Sequence, residues 1–174
     1  RDGFSTTSLA GMGKVRHKLM LQESAKRIHS SELLRASGDD SDSAYLLRLI
    51  GFELLLKVVV EQSTQKLTHG HNYKDLFGSL LPERQADILR IAGERIGPSA
   101  LASDHVGVLT DLSSNFVNLR YPYEKYGHMT EQDYSQVGAT WIAAGANIAA
   151  ADYRYHPEEL LGLTFALQQV ENAC

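Results

Sequence analysis

The chain holds a single cysteine, Cys174, so no disulfide can form within it. A reducing, cytoplasmic setting is the expectation that follows. A thiol with no positioned base nearby is not a candidate nucleophile. Only four prolines interrupt the 174 residues, and no segment reads as a convincing strand, which argues against a sheet-built fold. Long unbroken hydrophobic runs are missing too. The nearest, residues 46–60, carries Arg48, Glu53 and Lys57 and does not read as a membrane span. No secretory leader pattern opens the sequence. His69 and His71 flank Gly70 without a cysteine or a second histidine at ligand spacing, so no metal site is expected. The segment AAGANIAAA lacks the preceding strand that dinucleotide binding requires. No cofactor is expected.

What is present suits one globular domain with a sizeable core: 43% of residues are hydrophobic and 22% charged. The net charge of -4 argues against a protein that coats nucleic acid without selectivity. The charge is uneven. Residues 1–35 hold seven Lys or Arg against three acids, leaving -8 on the rest. Lys14, Arg16 and Lys18 in that basic segment are candidates for holding a phosphate backbone, set against the plainer reading of a solvated helix face.

Apolar residues recur at helical spacing along most of the chain. Residues 1–13 read as a flexible leading segment and 14–174 as a single helical domain. A first helix is predicted over 14–36, with Leu21, Ala25 and Ile28 on one face. The run SGDDSDS is a turn and capping cluster. The following helix, AYLLRLIGFELLLKVVVEQS, is apolar except for Glu53, Lys57 and Glu61, four residues apart in one narrow stripe. A helix that apolar must sit at the centre of a bundle. A short helix over 72–80 comes next, then one opened by Pro82 and ended by Gly97 and Pro98. Ser103 or Asp104 caps a helix whose Leu109, Leu112, Phe116 and Leu119 form a core stripe. Thr130 and Asp133 resemble a capping arrangement for a helix bearing Tyr134, Val137, Trp141 and Ile148. The alanines and glycine from Ala143 to Ala151 would let another helix approach closely. Pro157 opens the last helix. The fold class predicted is all-α, an antiparallel up-and-down bundle of about five long helices plus one or two short ones.

Three segments in order, GFELLLKVVVE, LTHGHNYKDLFGSL and FVNLRYPYE, resemble those of the HEPN family of helical bundles found in bacterial toxin, defence and nucleotide-linked systems. The similarity spans residues 24–152. The second segment is similar to the family's Thr-His-x-Leu-x-x-Leu stretch through His71, Tyr73, Leu76 and Phe77. The third is similar to the Arg-Tyr-Pro that closes a long helix in many members. The resemblance implies a bundle that forms a homodimer, and it implies RNA or a nucleotide as ligand. A cognate antitoxin or nucleotidyltransferase is the protein partner it implies. Active members are metal-independent ribonucleases with the pattern Arg-x4–6-His, where a guanidinium holds the scissile phosphate and an imidazole moves a proton.

Here seven residues separate Arg120 from His128, and Pro122 disturbs the helix between them. The leading expectation is therefore an RNA- or nucleotide-linked binding or regulatory protein without ribonuclease activity. An active endoribonuclease using Arg120 and His128 is the second reading, and a protein-interaction module the third. Each residue also has a structural reading. Arg120 either contacts phosphate or pairs with Glu124 four residues on. Tyr123 and Glu124 either line a polar groove at a dimer interface or pack a helix end. His128 reads as an exposed loop histidine with no role ahead of a proton-transfer group. His71 is expected to satisfy the backbone at the start of the short helix. His17, His29, His105 and His156 show no partner pattern.

Overall fold

The computed structural model describes the backbone of residues 7–172 and the side chains of residues 13–172; Cys174 lies outside the described residues. Among them the chain is all-helical: α1 (Thr7–Ala36), α2 (Ser43–Thr64), α3 (Tyr73–Gly78), α4 (Pro82–Ile96), α5 (Leu101–Asn118), α6 (Pro122–Tyr126), α7 (Glu131–Ala143), a 3₁₀ turn (Ile148–Ala150) and α8 (Pro157–Asn172). No described helix is long and apolar enough to cross a membrane.

The bundle is built around α2. Its Leu49, Phe52, Leu56 and Val58 are at most 1% exposed, each such burial contributing roughly 1.5–3 kcal/mol. Helix α1 packs along it, α8 lies against both α2 and α4, and α3 and α5 close the remaining side. Two serines set the α1–α2 contact. Ser24 Oγ donates to the Gly51 carbonyl at 2.7 Å and Ser31 Oγ to that of Ala44 at 2.6 Å. A side chain at Gly51 would meet Ile28 at 2.7 Å, so this glycine permits the approach. The buried face of α1 is therefore Met20, Ser24, Ile28 and Ser31, with Leu21 half-buried and Ala25 exposed. That is a rotation from the face expected, because serine hydroxyls bonded to carbonyls can be buried as well as alkyl groups. α1 also begins at Thr7 rather than Lys14. No proline lies in that stretch, and its two glycines weaken a helix without ending it.

Capping follows the sequence at Asp104 and Thr130 but not ahead of α2, where Asp42 of the SGDDSDS cluster makes no side-chain cap hydrogen bond. Asn72 Oδ1 accepts from the Asp75 amide, and Thr130 and Asp133 form a reciprocal capping box. Asp104 breaks helical geometry and takes the Gly107 N–H at 2.8 Å, so it caps the main body of α5. The core stripe Leu109, Leu112, Phe116 and Leu119 is buried as expected. The small residues after Ala143, in contrast, receive no helix; residues 143–150 are exposed.

Candidate functional site

The polar stripe of α2 is where the chemistry gathers. A carboxylate buried in a helical core must be hydrogen-bonded, and both acids of the stripe are. Glu53 is 6% exposed and takes three donors. Lys57 Nζ lies 2.8 Å from Oε1, the Tyr73 hydroxyl donates to Oε2 at 3.0 Å, and His71 Nδ1 lies 2.9 and 3.0 Å from the two oxygens. A carboxylate only accepts, so Nδ1 carries a hydrogen and serves as the donor to Glu53. The loop before α3 and the cap at Asn72 place His71 and Tyr73 there. Tyr73 is completely buried, and burial, reinforced by the Glu53 charge, pushes its hydroxyl well above its ordinary pKa.

His71 was expected to serve the backbone of α3. It is instead oriented by a buried carboxylate, and its ring lies against Phe116, centroids 4.7 Å apart. Arg120 reaches the same ring. Its guanidinium carbon is 4.3 Å from the Phe116 centroid, and its Nε donates to the Phe116 carbonyl at 2.9 Å. Among the described residues this is its one hydrogen bond, so both terminal amines remain as donors. The expected alternative, an Arg120–Glu124 pair, does not form. Tyr121 leaves the helical region at φ −136°, ψ 58°, so α6 starts afresh and the i,i+4 geometry is lost.

Beside His71 lies a groove of about 370 Å³ lined by Asn72, Lys74, Thr110, Ser113, Ser114 and Val117. Thr110, Ser113, Ser114 and Val117 follow the three- and four-residue steps of one face of α5. The result is a hydroxyl-lined groove with an oriented imidazole at its side, while Arg120 shares the Phe116 ring with that imidazole without lining the groove. Lys74 is exposed, 3.8 Å from Asp75. Such a surface can hold a phosphate and stack a base. Among the described residues no three His, Cys, Asp or Glu side chains gather as a metal site.

The other predicted residues lie apart. His128 is exposed in the turn between α6 and α7, and no hydrogen bond or ring contact joins it to Arg120 among the described residues. Tyr123 is 66% exposed and packs on Tyr121 with centroids 6.2 Å apart, while Glu124 is exposed. Lys14 and Lys18 are exposed on α1. Arg16 grips Glu61 through Nε at 3.1 Å and Nη2 at 3.0 Å. His17 and the Thr68 amide and hydroxyl complete that cluster. Burial pushes the Glu61 carboxyl upward, but these bonds, led by Arg16, outweigh it and hold its pKa at about 2. Eight residues along α2 put this cluster roughly 12 Å from Glu53.

Sequence reasoning missed the partners of His17, His71 and His156, the last at 2.9 Å from Asp111. The signal for the first two was the acidic stripe itself. Comparison with known proteins gives no match: no family model, no curated protein and no solved structure is similar to the chain.

Proposed function

We propose that this is a HEPN-like protein that binds RNA or a nucleotide through the groove beside His71 together with Arg120, acting by binding or regulation rather than by cleavage. The observation that carries the reading is Arg120 stacked on Phe116 with its terminal amines open, beside the Glu53-oriented His71. A guanidinium held flat in this way is preorganised to grip a phosphate through two parallel bonds. The hydroxyls of Thr110, Ser113 and Ser114 add sugar- or phosphate-directed contacts along the same face. His128, eight residues and one helix break beyond Arg120, has no contact among the described residues that would orient it as a proton donor. A homodimer, a bacterial stress or defence setting, and an antitoxin or nucleotidyltransferase partner belong to the same reading through the family resemblance.

Fluorescence anisotropy with a short single-stranded RNA, competed by free ATP, tests it. Binding at low salt should weaken by roughly 10-fold or more in Arg120→Ala, the equivalent of losing one charge-assisted contact, and stay unchanged in His128→Ala. No cleavage should appear in EDTA. Binding indifferent to Arg120→Ala would remove the proposal. Metal-independent cleavage that disappears in His128→Ala would replace it with the endoribonuclease reading.

A further inference from the structure

A cavity of about 720 Å³ lies between α7 and residues 150–153. Three aromatic side chains line it: Tyr126 from α6, Trp141 from α7 and Tyr153 from the segment leading to α8. Asp133 and Asp152 line it too, and no lysine, arginine or histidine does. The Thr130 cap engages only Oδ2 of Asp133, so Oδ1 is open among the described residues. The Tyr126 hydroxyl donates to Asp152 Oδ2 at 2.9 Å, and the Tyr153 hydroxyl is buried without a partner among the described residues. Buried hydroxyls are as a rule hydrogen-bonded, so one left alone points to a ligand or a water. Burial, and after it the Asp152 carboxylate, raises both phenols above their ordinary range. They stay neutral, and the charge on the cavity wall is that of its acids. One ammonium already rests beside this wall: Lys125 Nζ lies 4.6 Å from the Tyr153 ring centroid and 3.1 Å from Asp152 Oδ1. Lys125 itself does not line the cavity. The rings of Trp141 and Tyr126 and the Oδ1 of Asp133 are left for a second cation.

We propose that this cavity binds an organic ammonium ion with an apolar body, held against the aromatic rings and drawn in by Asp133. The lining chooses this class of ligand over its rivals. An anion would meet two carboxylates and no base there. A purely apolar ligand would leave Asp133 Oδ1 and the Tyr153 hydroxyl unused. A substituted ammonium ion uses every part of the wall. Its charge is attracted by aromatic faces, tryptophan most strongly, and by the carboxylates. Its alkyl part packs on Met129, Val137 and Ala144, and a hydroxyl or N–H on it can donate to the Tyr153 oxygen. This site stands apart from ligand binding at Arg120, which needs no residue of this cavity.

Trp141 is the only tryptophan of the chain, so its fluorescence reports on the cavity. The whole chain is titrated at constant ionic strength with choline, with butylammonium, and with dimethylbutanol, the uncharged carbon isostere of choline. An ammonium ion should give a saturable change with a dissociation constant of about 1 mM or tighter. The isostere should bind roughly 10-fold more weakly. Asp133→Asn keeps an oxygen for the Thr130 cap; it should weaken ammonium binding by about 10-fold and leave the response to the isostere unchanged. An unaltered melting temperature in that variant shows that the loss is one of charge and not of fold. Arg120→Ala should leave all three titrations unchanged, which separates this site from the proposed nucleotide groove. Equal binding of choline and its isostere would reduce the cavity to an apolar slot and overturn the proposal. The absence of a saturable change with either ammonium ion overturns it equally.

Discussion

Helices α2 and α7 are both poor in charge, and they end in opposite environments. α2 buries twelve of its 22 residues; α7 buries none of its 13. The difference lies in what the rest of the chain brings to each. α2 has α1, α3, α5 and α8 around it, and its two buried carboxylates are matched by partners from α1, the loop before α3 and Tyr73, although Arg48 Nε finds none among the described residues. α7 is held by its own caps and by Tyr126 packed edge-on to Tyr134, while ties at Asp152 and Asp111 anchor the segment that follows it. Low charge therefore marks a buried helix in one case and an uncovered face in the other.

The largest expected effect lies where the core meets the site. Phe116→Ala removes a buried ring from α5 together with the platform shared by His71 and Arg120, and should cost roughly 3–5 kcal/mol in chemical denaturation. A loss below about 1 kcal/mol would mean that α5 packs no more tightly than α7 does. Next is Glu61, buried on α2. Its depressed pKa contributes stability above its ordinary value of 4.5, and that contribution fades as pH falls toward about 2. Glu61→Gln should therefore cost roughly 3 kcal/mol at pH 7, and most of that difference should vanish near pH 2. A pH-independent difference would assign the cluster's strength to neutral hydrogen bonds instead.

The smallest effects come from a pair of glycines. An added methyl at Gly162 on α8 would lie 3.0 Å from Ile96 and 3.1 Å from the Ala92 carbonyl. Gly162→Ala should thus destabilise by roughly 1–3 kcal/mol. At Gly138 on α7 nothing lies within 4 Å. Gly138→Ala should stabilise α7 by roughly 0.5–1 kcal/mol, read as slower amide exchange in that helix. Equal signs at the two sites would erase the distinction between bundle and arm.

Much of the site could be read in part. Arg120 stood out from the Arg-Tyr-Pro run, and the acidic stripe on α2 announced that buried carboxylates needed partners. Their identity could not be read, since His71 lies 18 residues from Glu53, and Arg16 lies 45 residues from Glu61. Those pairings depend on how the loop and α1 dock. The serines of α1 were similarly opaque: a hydroxyl that finds a carbonyl across a helix contact has no periodic signature.

Helix content, the capping residues Asn72, Asp104 and Thr130, and the centrality of α2 were set by local chemistry. Side-chain period and capping hydrogen bonds act within a few residues and need no tertiary partner. Only the tertiary structure decided that Arg120 lies on Phe116 rather than beside Glu124, and that the alanine-rich stretch after Trp141 receives no helix. Both outcomes turn on where the chain leaves helical geometry and on which surfaces remain after α1, α4 and α8 have covered α2, and the packing of the whole chain determines those.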